Sequence, residues 1–324
     1  MFEKFNDVGN QSILVIGDII LDKYIYGQTT RISPEAPVPI VLAKKESYVL
    51  GGAANVAANL NSLGAKSYLM GCVGNDQNGR TVIDLIDDIL SDSSGIFHSS
   101  KKTTTKSRIV SKGQQVLRID EESTFDMESA EQKSFFELIE NAINTMPFDG
   151  IILQDYNKGI FSERMIQDVL QLAKNKSIPI FVDPKHKNFW KYQGVTIFKP
   201  NLSEILEANE IENYSSLDEL LISTYSRLKC ELLMCTLADE GIAYVQKGVV
   251  SKSPTQKIDV VDVSGAGDSA LATIVLSYLL GYEAKEIAIL ANLGGKVACM
   301  KSGVSTIFIT ELISAYKSDN KANK

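Results

Sequence analysis

Histidine and cysteine are scarce in this chain, at two and four residues out of 324. His98 and His186 lie far apart, which argues against a histidine-built zinc site. Cys72, Cys230, Cys235 and Cys299 form no Cys-x-x-Cys pair and no small-domain disulfide pattern, so they read as free thiols in a reducing compartment. Basic charge is also in short supply, with 33 Lys and Arg against 40 Asp and Glu. The net charge of −7 argues against the broad basic surface that nucleic-acid binding needs. Long hydrophobic runs are missing too: the longest apolar stretches, near 269–280 and 286–299, are too short or too broken by Gly and Lys to span a bilayer. The opening stretch MFEKFNDVGNQSILVIGD has neither a basic n-region nor a small-residue cleavage site, so no secretory signal is expected. These absences describe a cytoplasmic protein with small-molecule partners, no nucleic acid and no membrane.

What the sequence does contain is a rhythm. Hydrophobic residues make up 44% and charged residues 23%, as in a soluble globular protein. Short β-branched runs alternate with helical patterns, the sign of a parallel sheet covered by helices on both faces. The expected strands are ILVIGD (13–18), SYLMGCVG (67–74), GIILQDY (150–156), PIFVDP (179–184), VTIFKPN (195–201) and ELLMCTL (231–237). A helix is expected over 128–146, with Phe135, Leu138, Ile139, Ala142, Ile143 and Met146 on one apolar stripe. The next starts at Ser162 as N-cap, carries Glu163 in its first turn and buries Met165, Ile166, Val169, Leu170 and Ala173. Two stretches, 37–50 and 103–123, break the rhythm as hairpin strands with no helix between them. They predict a small β-sheet projecting over one end of the main sheet as a lid. The polar tail after Ala315 is expected to fray.

The densest chemical signal is Asp262-Val-Ser-Gly-Ala-Gly-Asp268, between a β-type run and the apolar helix pattern SALATIVLSYLL. Two glycines allow a tight turn whose N–H groups point inward at the positive end of the next helix, a nest for negative charge. Asp268 at its edge would repel a statically bound phosphate. It is well placed to take a proton from a hydroxyl attacking phosphorus beside the nest. The stretch therefore reads as a phosphoryl-transfer site.

Two look-alikes fall away. Gly74 to Thr81 approaches the GxxxxGK[ST] P-loop pattern, but Arg80 replaces the lysine and Asp76 puts a carboxylate where phosphates would lie. Gly265, Gly267 and Ala270 fit a dinucleotide GxGxxA pattern, yet Asp268 faces the would-be pyrophosphate and a second helix, EAKEIAILANLGGKVACM, follows the first.

In an open α/β sheet, ligands sit at the carboxyl ends of strands. Asp18 ends the first strand and can accept hydrogen bonds from a polyol, a turn-forming role being the alternative. Gly51 and Gly52 open a helix and permit close approach of a ligand; Asn55, one turn in, offers a donor and an acceptor to hydroxyls. Asp155 and Lys158 follow the strand GIILQ. Asn201, Leu202, Ser203 and Glu204 follow VTIFKP, where Asn and Glu also suit a helix N-cap pair. The set argues for a cleft more strongly than any member.

The chain from Ile13 to Leu312 resembles the ribokinase/PfkB family of carbohydrate kinases. One family motif is similar to GGAANVAANLNSLG with the VGNDQNG that follows, the other to DVSGAGDSA. Within the family, YGQTTRISPEAPVPIV, QVLRID, LQDYNKG, VDPK, KPNLSE and GVST resemble kinases acting on D-glycero-β-D-manno-heptose 7-phosphate. Those enzymes add a second phosphate at O1 in making the ADP-heptose of lipopolysaccharide. The resemblance implies a single ribokinase-like domain over 1–324: a three-layer α/β/α sandwich with a mostly parallel central sheet and β-lid segments at 23–50 and 103–123. It implies ATP and Mg2+ as cofactors and leaves a monovalent cation such as K+ open.

The resemblance makes Asp268 the catalytic base, and the N–H groups of Gly265, Ala266 and Gly267 the anion hole. Asn201 to Glu204 and Ser264 fall on the nucleotide side, with Glu204 ordering magnesium-bound water and Asn292 near the adenine. Asp18, Gly51, Gly52 and Asn55 hold sugar hydroxyls. Ser264 and Ser269 stand where Thr is commoner, and both keep a hydroxyl. A sugar already bearing phosphate wants cations at the far end of the cleft. Arg31, Arg108 and Arg118 lie on or beside the lid strands, and Lys158 and Lys185 follow core strands. Arg118 is the best placed of these, with Arg108 its expected neighbour across the hairpin.

Some family members continue into a nucleotidyltransferase with an HxGH motif. Neither histidine here lies in one, so a separate nucleotidyltransferase is expected to carry the later step. A homodimer through the β-lid is expected too, since an exposed β-edge invites pairing. The other readings are a kinase of the same fold acting on a neutral sugar, a different sugar phosphate or a nucleoside, and a catalytically silent sugar- or nucleotide-binding regulator. The intact Asp268 argues against the last, and a dehydrogenase is the weakest reading.

Overall fold

The computed structural model describes residues 1–90 and 92–322. Among these the strands are β1 (Ser12–Gly17), β2 (Ile19–Ile32), β3 (Pro39–Gly52), β4 (Lys66–Gly74), β5 (Ile96–Ser99), β6 (Thr105–Ser111), β7 (Gln114–Glu121), β8 (Gly150–Gln154), β9 (Ile180–Asp183), β10 (Ile197–Phe198), β11 (Leu232–Thr236), β12 (Ile242–Gln246) and β13 (Val249–Ser253). The helices are α1 (Ala53–Ser62), α2 (Gln77–Leu90), α3 (Ser129–Thr145), α4 (Glu163–Asn175), α5 (Leu202–Ala208), α6 (Leu217–Leu228), α7 (Ala266–Leu279), α8 (Ala284–Cys299) and α9 (Ile309–Ala322).

The main sheet runs β13-β12-β11-β10-β9-β8-β1-β4-β5. It is parallel except for the edge hairpin of β12 and β13, which the sequence reading did not include. β1 is apolar along its length because both its faces are covered. Ile13 and Val15 enter one core with α1, α7 and α8, while Leu14 and Ile16 enter the other with α3 and α4. The three-layer sandwich is therefore as the resemblance implies. The expected strand at 195–201 contracts to two residues: Pro200 brings no N–H, and Asn201 already caps the next helix. Along α3, Leu138 is 41% exposed and leaves the expected stripe. Along α4, Leu170 is only half-buried. The tail expected to fray continues as α9, tied down by Lys296 to Asp319 and by Lys301 to Glu311 at 2.7 Å; Asn323 and Lys324 lie outside the described residues.

The lid is a separate four-stranded sheet in the order β3-β2-β6-β7. β2 leaves the central strand β1 across a single residue, Asp18, and β3 returns to Gly52 and hands the chain to α1. Gly52 has φ +60° and a side chain there would stand 2.3 Å from the carbonyl of Asp18, so only glycine makes this return. On the other side the near P-loop is tied to the residues that lead into β6 of the lid. The Asp76 carboxylate accepts from Gly79 N at 2.8 Å, Thr103 N at 2.9 Å and Thr103 Oγ1 at 2.8 Å, occupying the loop with the protein's own anion.

Ser162 caps α4 as expected, accepting from Met165 N at 3.2 Å, and also donates to Gln132 on α3 at 2.6 Å. Ser162→Ala should lower stability by about 1 kcal/mol, the usual worth of an N-cap. Urea unfolding followed by circular dichroism measures it, with an unchanged midpoint as the contrary result.

Candidate active site

Four neighbouring strands, β10, β9, β8 and β1, run parallel and end side by side, and each apolar run closes on a polar residue. Lys199 follows β10, Asp183 ends β9, Gln154 ends β8 and Asp18 follows β1. Above them lies the first turn of α7, which carries Asp268. Its carboxylate is only 4% exposed. Oδ2 accepts from Asn55 Nδ2 at 2.7 Å, and Oδ1 accepts from Tyr156 Oη at 2.9 Å and Gln154 Nε2 at 3.1 Å. Burial pushes the Asp268 carboxyl up to about 6, with Asp183 adding to it, against the donors Asn55 and Tyr156 and the charge of Lys199. The group is ionised at neutral pH yet far more basic than a surface aspartate, which suits a general base.

The nest beside it is narrower than expected. The N–H of Ala266 is donated to Val263 O at 3.2 Å and closes the turn, so Ala266 drops out of the expected anion hole. The amides of Gly265 and Gly267 have no protein acceptor among the described residues. Gly265 sits at φ +79°, and a side chain there would come within 2.9 Å of Asn55 Nδ2, the atom that holds the base. Lys199 Nζ lies 3.8 Å from where a Gly267 side chain would begin and pairs with Asp183 at 3.0 Å. Asp183 in turn accepts from Gln154 at 3.1 Å, so one chain of contacts links the cation at the nest to the base.

The expected sugar-side residues divide. Asp18 accepts from the N–H of Tyr156 at 2.8 Å and of Lys158 at 3.1 Å. Burial, with Asp155 close by, pushes its carboxyl up to about 7. Asn55 gives one N–H of Nδ2 to Asp268 and accepts at Oδ1 from Asn59 at 3.1 Å, which leaves its second N–H uncommitted beside the site. Its contact with Asp268 makes it the residue that orients the base. Asp155 is likewise corrected from ligand acceptor to brace, since Asn157 N at 2.8 Å, Asn188 at 3.0 Å and Tyr192 at 2.6 Å take its oxygens. Gly51 and Gly52 line the junction of lid and core beside Asp22 and Asp18.

On the other side, Asn201 and Glu204 form a complete capping box on α5, whose first turn contains Leu202 and Ser203. Glu204 also pairs with Lys185, which lies over the Tyr156 ring. Asn292 donates to Ser253 O at 2.8 Å and pins the end of β13. Ser264 donates its N–H to Asp262 at 2.9 Å, and Asp262 also accepts from Gly303 N at 3.1 Å, tying the nest to the GVST loop.

Arg108 and Arg118 do face each other across β6 and β7. Each has a partner, however: Arg108 is paired with the buried Asp22, Arg118 with Asp120 at 2.9 Å, and Lys158 with Glu122 at 2.7 Å. Arg31 is exposed on β2. The sequence reading left Gln154, Tyr156, Asp183 and Lys199 without a role. The available signal was a polar residue closing each buried apolar strand.

A carboxylate held ready beside open amides, under a β-lid at the carboxyl edge of a parallel sheet, defines an enzyme that moves phosphoryl groups onto alcohols. The sequence model described as pfkB family carbohydrate kinase matches residues 10–311, and the chain belongs to that family. Among curated relatives, it is 37% identical over 305 residues to the bifunctional protein HldE of Helicobacter pylori strain J99, covering 93% of this chain and 65% of that protein. It is also 37% identical over 319 residues to HldE of Koribacter versatilis, covering 97% of this chain and 65% of the relative. The chain thus spans 65% of the length of these relatives. Phosphofructokinase-2 of Escherichia coli superposes with a TM-score of 0.78 at 16% identity, covering 95% of this chain and 98% of that one. Ribokinase of Thermotoga maritima superposes at 0.72 and 20% identity, covering 95% and 99%. Both share the fold. Among the described residues no helix is long and apolar enough to cross a membrane.

The two perturbed acids set the expected pH dependence. The value of kcat/KM should fall as pH drops from about 7 through about 6, as Asp18 and then Asp268 take up protons. Asn55→Leu removes a donor that favours ionised Asp268, so the lower limb should move to higher pH. A pH–rate profile by ADP release measures both; a limb that stays in place would assign the titration to another group.

Proposed function

We propose that the protein transfers the γ-phosphoryl group of ATP to O1 of D-glycero-β-D-manno-heptose 7-phosphate, giving the 1,7-bisphosphate. The observation that carries the chemistry is Asp268, ionised but basic, beside the unpartnered amides of Gly265 and Gly267. The motifs LQDYNKG, VDPK, KPNLSE and GVST, with relatives that are HldE proteins, support the choice of sugar.

Asp268 accepts the proton of the O1 hydroxyl as that oxygen bonds to the γ-phosphorus; the bond from the γ-phosphorus to the bridging oxygen breaks and ADP departs. Gly265 and Gly267 steady the moving group with N–H donors, and Lys199 adds a positive charge at the same spot. Tyr156 and Gln154 keep the carboxylate aimed, and Asp18 receives sugar hydroxyls. Among the described residues no group of three acids, histidines or cysteines could hold a metal ion. Asp183 and Glu204 are already paired with lysines. These residues fit a magnesium ion that would arrive with the nucleotide, and Glu204 is the residue that would help hold it through water. When bound, that ion offsets charge on the phosphates.

Asp268→Asn should keep the fold and ATP binding and lose roughly 10²–10⁴ in kcat, the usual worth of a general base. Near-normal turnover in an ADP-release assay would remove Asp268 from that role. Phosphorus NMR of the product tests acceptor and position together, and a product without phosphate on O1 would reject the heptose reading. The open edges of β3 and β7, with Ile32, Val38, Leu42, Leu117 and Ile119 exposed, support a homodimer paired through the lid. Sedimentation equilibrium should give twice the chain mass, and a charged residue at Leu42 should halve it; a monomeric wild type would reject the pairing.

A further inference from the structure

Four cations gather where the lid meets the core, Lys106, Arg108 and Arg118 on the lid strands and Lys158 after β8, and three of them are paired. Arg108 takes Asp22, Arg118 takes Asp120 and Lys158 takes Glu122. The fourth, Lys106 on β6, stands in register between Asp22 of β2 and Asp120 of β7, both already claimed. Among the described residues it has no ion-pair partner and no hydrogen bond; its ammonium lies 5.7 Å from the centre of the Tyr156 ring. A half-buried cation with no ion pair of its own is costly, and such groups ordinarily have one. Here burial pulls the lysine below its usual range, against the attraction of Asp22 and Asp120 and with Lys158 and Arg118 adding repulsion. The Tyr156 ring separates this charge from the base, since the hydroxyl of the same ring donates to Asp268 at 2.9 Å. The phosphoryl group in transit has its own cation, Lys199, beside Gly267.

We infer that Lys106 binds a phosphate on the acceptor sugar, at the end remote from the attacked hydroxyl, and that Tyr156 spaces this subsite from the base. The vacant partner of Lys106 is then supplied by the substrate, and selectivity for phosphorylated sugars follows. Arg118, the residue first expected there, supports the subsite from within its pair with Asp120. The inference rests on the reading of the site as that of a sugar-phosphate kinase.

The test compares D-glycero-β-D-manno-heptose 7-phosphate with the same heptose lacking phosphate, under saturating magnesium and ATP. Lys106→Met should lower kcat/KM for the phosphorylated sugar by roughly 10- to 150-fold, the scale of a charged hydrogen bond. The value for the unphosphorylated sugar and the KM for ATP should hold, and Lys106→Arg should recover most of the loss. Thermal melts check that both variants fold. Equal losses on the two sugars, or a raised KM for ATP, would overturn the subsite. If wild type leaves heptose 7-phosphate untouched, the heptose reading fails, and the comparison moves to fructose 6-phosphate against fructose. A wild type that accepts only unphosphorylated sugars overturns the subsite itself.

Discussion

A negative charge held in a nearly dry place is the constraint on which this structure turns. As the proposed base, Asp268 must stay ionised, yet burial favours its neutral form and a phosphoryl group would bring more negative charge beside it. The fold answers with three donors on the carboxylate, from Asn55, Tyr156 and Gln154, and with a lysine close to the neighbouring nest. The balance leaves the group poised for proton transfer instead of silenced. Each of those partners lies at the end of a strand or the start of a helix, where rigid elements hold them in place.

Charge pairing organises the rest of the cleft in the same way. Lys199 with Asp183 and Lys185 with Glu204 neutralise one side of the site, while the arginines of the lid neutralise its acids. These pairs are partly or wholly removed from water, so breaking one leaves a charge exposed to a low dielectric. Paired groups therefore keep the shape of the site and leave the unpaired ones open to a ligand. Among the described residues Gly265 and Gly267 have no acceptor and Lys106 has no ion pair.

Much of the fold was legible because its signals are local. The β1 pattern ILVIG, the Ser162 cap and the hairpin over 103–123 each record their own environment within a few residues. The misreadings share a cause. Leu138 fits a helical period, but the layer packed on α3 covers less of that face than the period allows. The tail after Ala315 has no apolar stripe strong enough to announce a helix, and α9 is secured by lysines of α8 and of the loop after it. The strand around Ile197 shortened because Pro200 and the capping Asn201 compete for the same backbone.

The candidate site shows the same boundary. The turn, the helix start and the acid of DVSGAGD could be read because they are contiguous. The role of Asn55 could not: its partner lies 213 residues away, and a sugar-facing asparagine and a base-orienting one have the same sequence context. Ala266 likewise looks like any nest donor until the turn consumes its N–H. Sequence by itself determined which elements form and which polar groups they bear. Tertiary structure alone decided which polar groups meet each other and which are left open, because hydrogen bonds and ion pairs depend on distances that only the packed sheet, its helices and its lid create.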